Sequence, residues 1–107
     1  MIEEILVSLQ DKLRSQDYLD NDQALDKVAS LLQSQSSDKQ RKIISNILPL
    51  ALSSKHESIQ KKTVQTVINY PSILKDILPA LRLATDTTVR FWAYFITIEL
   101  GFLTQSE

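Results

Sequence analysis

His56 is the only histidine of this 107-residue chain, and there is no cysteine. A Ser-His-Asp triad would have to be built on that one imidazole. A zinc site of the common Cys and His kind lacks its ligands, and a helix presenting two histidines is excluded. His56 sits in a polar stretch between two apolar segments and reads as an exposed turn residue. Glu3 and Glu4 are adjacent carboxylates. On a helix, consecutive positions point apart, so they do not form an acid–base pair, and acids are favoured at helix N-termini in any case. Gly101 is the sole glycine, so no glycine-rich loop exists to cradle a phosphate. These residues predict no catalytic group, no metal ligand and no cofactor, and hence no enzyme.

Two features can make contacts instead. The first is basic. Lys39, Arg41, Lys42, Lys55, Lys61 and Lys62 fall within residues 39–62, where neighbouring helices can merge them into a phosphate-touching patch. No aromatic residue interleaves them to stack on bases. The second is aromatic. Five of the seven aromatic residues lie within 91–102. Charge is also uneven: residues 1–38 hold eight acids and three bases, whereas 39–107 hold nine bases and five acids. Such a split can orient a protein on a partner.

The elements that position these residues are helices. Ile2, Ile5, Leu6, Leu9 and Leu13 recur at three- and four-residue steps and predict a first helix over about 2–15. Asn21 and Asp22 are candidate caps for a second helix, ending near 33, whose stripe is Leu25, Val28, Ala29 and Leu32. A third starts near Asp38, capped by Ser37 or Asp38, and carries Ile43, Ile44, Ile47, Leu48, Ala51 and Leu52. Pro49 inside it should bend it. A fourth is expected over about 58–69, stopping before Pro71, which suits the first turn of a fifth over about 72–84. Asp86 is a good cap for a sixth over about 87–102, with Gly101 marking its end. The β-branched and aromatic runs at 64–68 and 91–98 make a strand the competing local expectation there.

The repeat decides for helices. Ile47-Leu48-Pro49 recurs as Ile77-Leu78-Pro79, Ile43 and Ile44 fall on Ile73 and Leu74, Ile59 on Val89, and Ile68 on Ile98, all thirty residues on. A fixed period of this length belongs to stacked helical hairpins. With Leu-Pro in the first helix, a short polar turn and Asp86-Thr87-Thr88-Val89-Arg90 opening the second, the chain resembles HEAT-type and armadillo-like repeats over about half its length. The unit before it departs, with His56-Glu57-Ser58-Ile59-Gln60 at the corresponding turn. Helices one and two would be a degenerate third unit. The resemblance implies a surface that binds other proteins, in some members nucleic acids. The start of the sixth helix is also similar to that of chromophore-lyase subunits.

In the thirty-residue register, Lys61, Lys62, Gln65 and Thr66 of helix four become Phe91, Trp92, Phe95 and Ile96 in helix six. The opposite side stays apolar in both: Ile59, Val64, Ile68 and Tyr70 against Val89, Tyr94, Ile98 and Leu100. The last helix of a stack should turn a polar face outward. Its aromatics must be covered by the N-terminal helices, by a second copy or another protein, or by a further repeat. The chain is therefore expected to be an all-α domain of six helices, in a short stack or a compact bundle, acting as a cytoplasmic, oligomer-forming binding or adaptor module. Phe91, Trp92, Phe95 and Glu99 would contact another protein or a second copy, with Lys61 and Lys62 steering it. The alternatives are a nucleic-acid-backbone binder using 39–62 and a non-catalytic subunit of a larger enzyme. No apolar run reaches membrane-spanning length, and the acids within the N-terminal apolar pattern do not suit a signal peptide.

Overall fold

Apolar residues at helical spacing produce six helices and no strand in the computed structural model, which describes residues 2–15 and 17–102. They are α1 (Ile2–Arg14), α2 (Tyr18–Ser34), α3 (Ser37–Leu52), α4 (Glu57–Val67), α5 (Pro71–Leu81) and α6 (Thr87–Glu99). α1 packs on α2, α3 on α4 and α5 on α6 across short turns, and these hairpins stack in chain order. α1, α3 and α5 line one layer with α3 in the middle; α2 packs on α4 in the other. α6 packs on α5 and α3. The Cα radius of gyration, 13.2 Å, is that of a closely folded chain of this length.

The repeat governs the core. Ile43 and Ile73, Ile44 and Leu74, Leu48 and Leu78, and Ile59 and Val89 are buried pairwise. Caps and breakers set the ends. Asp86 accepts hydrogen bonds from the amides of Thr88 and Val89 at 2.9 and 3.1 Å, as expected of an N-cap. Pro71 opens α5. Gly101, at φ +70°, closes α6: its own amide donates to Ile98 O, and that of Phe102 donates to Thr97 O, both at 3.0 Å.

The start of α2 corrects the sequence expectation. The cap is Asp17, which accepts from the Asp20 amide at 3.1 Å. Asn21 lies one turn inside the helix and is buried. Its Nδ2 donates to the carbonyls of Lys12 and Ser15 at 2.8 and 3.1 Å, so it satisfies the orphan acceptors at the end of α1. A capping type of residue was legible here, but it caps the preceding helix.

Candidate functional site

α6 carries four of the eight large apolar side chains exposed among the described residues, the others, Val7, Tyr18, Leu19 and Leu83, being spread over α1, α2 and the turn after α5. Val89, Trp92, Ala93, Ile96 and Thr97 form the buried side of α6. Phe91, Tyr94, Phe95 and Ile98 are 60%, 47%, 38% and 63% exposed. Their spacing (i, i+3, i+4, i+7) makes one continuous stripe along the helix. Phe91 and Phe95 occupy the positions of Lys61 and Gln65 in α4, as the register predicts. The same register puts Tyr94 and Ile98 on the core side, but the fold holds them outside. Their counterparts Val64 and Ile68 pack within the core cluster. No hairpin follows α6 among the described residues, so the same two positions lie bare there. The N-terminal helices do not cover the stripe.

Trp92 also departs from expectation. It is 8% exposed, and its Nε1 donates to Gln60 Oε1 at 2.8 Å. Its repeat counterpart, Lys62, reaches back in the same sense: Nζ contacts Asp22 and Asp26 of α2 at 2.6 and 2.8 Å. Position 62/92 is thus the link to the preceding hairpin, ionic in one repeat and aromatic in the next. Neither residue is an open contact group. The aspartates, Asp22 first, hold the Lys62 ammonium above the ordinary lysine pKa. Trp92 instead supports the stripe from beneath, with ring centroids 5.1 Å from Phe91 and 5.3 Å from Phe95 in edge-on geometry.

A polar chain ties this support to the rest of the fold. Gln60 Nε2 donates to Ser54 O at 2.6 Å, and Ser54 Oγ donates to Asn21 Oδ1 at 3.2 Å. The His56 amide donates to Ser54 Oγ at 3.1 Å. From the end of α1 to α6, the hydrogen bonds run through Asn21, Ser54, Gln60 and Trp92. None of these roles announces itself in sequence; the one available signal was a set of amide and hydroxyl residues near helix ends. His56 is half-buried at the α4 N-cap, its ring edge-on to Tyr18 at 5.5 Å, rather than an exposed turn residue.

Beside Phe91 an open cleft of about 480 Å³ is lined by Glu57, Gln60, Lys61, Thr87, Thr88 and Trp92. Lys61 pairs there with Glu57 at 3.0 Å, both largely exposed. The structure therefore brings Lys61, Phe91 and Phe95 to one surface, with Glu99 exposed at the far end of α6. It does not assemble the basic stretch 39–62 into a free patch. Arg41 pairs with Asp76, Lys42 with Glu3, Lys61 with Glu57 and Lys62 with two aspartates. Among the described residues no three His, Asp or Glu side chains gather as a metal site, and no helix is long and apolar enough to cross a membrane. Compared with known protein families, curated proteins and solved structures, the chain matches none.

Proposed function

We propose that this chain is a non-enzymatic protein-interaction module of HEAT-like hairpins that binds through the outer face of α6. The observation that carries this is the exposed stripe of Phe91, Tyr94, Phe95 and Ile98 on a well-capped helix. Four such side chains leave roughly 400–500 Å² of apolar surface in water, the size of the largest patch on a typical monomer, which is often a functional surface. The rings are held by Trp92 and, on the other flank, by Arg82, whose guanidinium lies 5.8 Å from the Tyr94 centroid. A surface already ordered in this way loses little side-chain entropy on contact. Four of the six cations in 39–62 already pair with acids and do not gather on one face, which weighs against the nucleic-acid alternative.

The test is photo-crosslinking from position 98, with position 39 on exposed Lys39 as the control. Discrete adducts with protein are expected from 98 and not from 39. No adduct, or equal adducts from both positions, would remove the reading.

A further inference from the structure

We infer that the α6 stripe pairs with the same stripe of a second copy, antiparallel, about a two-fold axis passing between Tyr94 and Phe95. This rests on the interaction reading above and names its partner. Three observations carry it.

The first is register. The stripe is spaced three, one and three residues, so it reads the same from either end. Laid antiparallel on itself, Phe91 faces Ile98 of the copy near the middle of the contact, while Tyr94, on the Arg82 flank, and Phe95, on the Trp92 flank, each meet their own counterpart close to the axis. Every exposed apolar group then meets another, which a two-fold contact requires.

The second is charge. A two-fold axis across an antiparallel helix pair brings like flanks together. The flank toward α4 carries Lys61 beside Phe91 near the start of α6. Glu99 lies on that same flank, seven residues and nearly two turns beyond Trp92, which is the residue bonded to α4. Glu99 has no cation within ion-pair range among the described residues. In the antiparallel register, Glu99 of one copy arrives at the level of residue 90 and so beside Lys61 of the other. Two such pairs form per dimer. Among the described residues Lys61 pairs with exposed Glu57 alone, a pairing weak enough to exchange. The flank toward α5 carries Arg82 and Arg90 from both copies, and apolar burial must outweigh that crowding.

The third is the other end of the stack. The outer side of α1 presents Glu4, Val7, Ser8 and Asp11, and the cleft it forms with α2 adds only Ile5, Leu9 and Ala24 as apolar lining among charged and amide side chains. Head-to-tail stacking would put the four-residue aromatic stripe on that mostly polar face, with Val7 and the cleft's few apolar groups as its only apolar contacts. The two-fold pair closes instead. The stripe alone supplies roughly half of the ~800 Å² per partner of an ordinary interface, and the Lys61 and Glu99 rim adds to it.

The experiment is sedimentation equilibrium on the purified chain over increasing concentration. The mass should rise from 12.2 kDa toward twice that value. Ile98→Glu should stay monomeric with unchanged helicity, because the side chain it replaces is exposed. Lys61→Glu and Glu99→Lys should each weaken pairing about tenfold or more by setting like charges together. An equimolar mixture of those two variants should recover it, since both of its ion pairs are again of opposite sign. A wild-type chain that remains monomeric at high concentration overturns the self-pairing. So does a variant mixture that pairs no better than its parts. If the chain is monomeric while position 98 still crosslinks to other proteins, self-pairing fails and the interaction reading stands. Without those adducts both fail.

Discussion

Gln60→Leu would cut the polar chain where it reaches α6. Gln60 is half-buried and makes two short bonds, donating to Ser54 O at 2.6 Å and accepting from Trp92 Nε1 at 2.8 Å. Leucine keeps the side chain's bulk and removes both. The Trp92 indole N–H then has no acceptor beneath the aromatic stripe, and a buried unsatisfied donor costs about 1–3 kcal/mol. Ser54 is buried as well, so its carbonyl adds a similar but smaller penalty where water reaches it. The expected loss is about 2–3 kcal/mol, or a fall in Tm of roughly 10 °C or more for a domain of this size. Trp92→Phe removes the donor instead and shrinks the ring. Combined with Gln60→Leu it should cost less than the two changes added, by about 0.5–1.5 kcal/mol, because the second change no longer orphans a partner. Urea unfolding followed by far-ultraviolet circular dichroism measures all four proteins without relying on Trp92 emission. A Gln60→Leu loss below about 0.5 kcal/mol, or strict additivity, would refute the view that this bond joins α6 to α4.

Further changes test other parts of the fold. Leu48→Ala and Leu78→Ala should each destabilise by about 2–5 kcal/mol, as both are buried at equivalent repeat positions, while exposed Lys61→Ala should cost under about 0.5 kcal/mol in chemical denaturation. Asn21→Ala should lose about 2 kcal/mol by the same measurement, since it frees the carbonyls at the end of α1, whereas Asp22→Asn should cost less. In alkaline titration, Lys62 should contribute stability that is fully present below the ordinary lysine pKa and lost as pH rises through its raised folded value. Lys62→Met should remove that alkaline component; an unchanged stability profile above neutral pH would contradict the Asp22–Lys62–Asp26 link.

The thirty-residue echo made the stack and its core legible, because buried positions repeat with the period. It could not set the rotation of α6 about its axis. Carrying the faces of α4 across assumes equal surroundings, and α4 has a hairpin on either side whereas α6 has one. Val64 and Ile68 are therefore covered, and Tyr94 and Ile98 are not. The same comparison treated Lys62 as solvated. Its neighbours Asp22 and Asp26 stand forty and thirty-six residues earlier, on a helix that begins at Tyr18, ahead of the Asn21 and Asp22 cap candidates. Phe91, Phe95, Glu99 and Lys61 were found because a charged-to-aromatic exchange at the end of a stack is visible in sequence. The Asn21–Ser54–Gln60–Trp92 chain was not, since it depends on three hairpins meeting in space.

Because the chain has no cysteine, single cysteines report cleanly on which surfaces of two copies meet. The most direct test mixes Phe91→Cys with Ile98→Cys protein under mild oxidation and weighs the products. The antiparallel α6 pair predicts that the mixed 91–98 disulfide forms faster than either the 91–91 or the 98–98 product, and faster than any product of a Lys39→Cys control. Equal rates for all combinations, or no preference over the control, would contradict it.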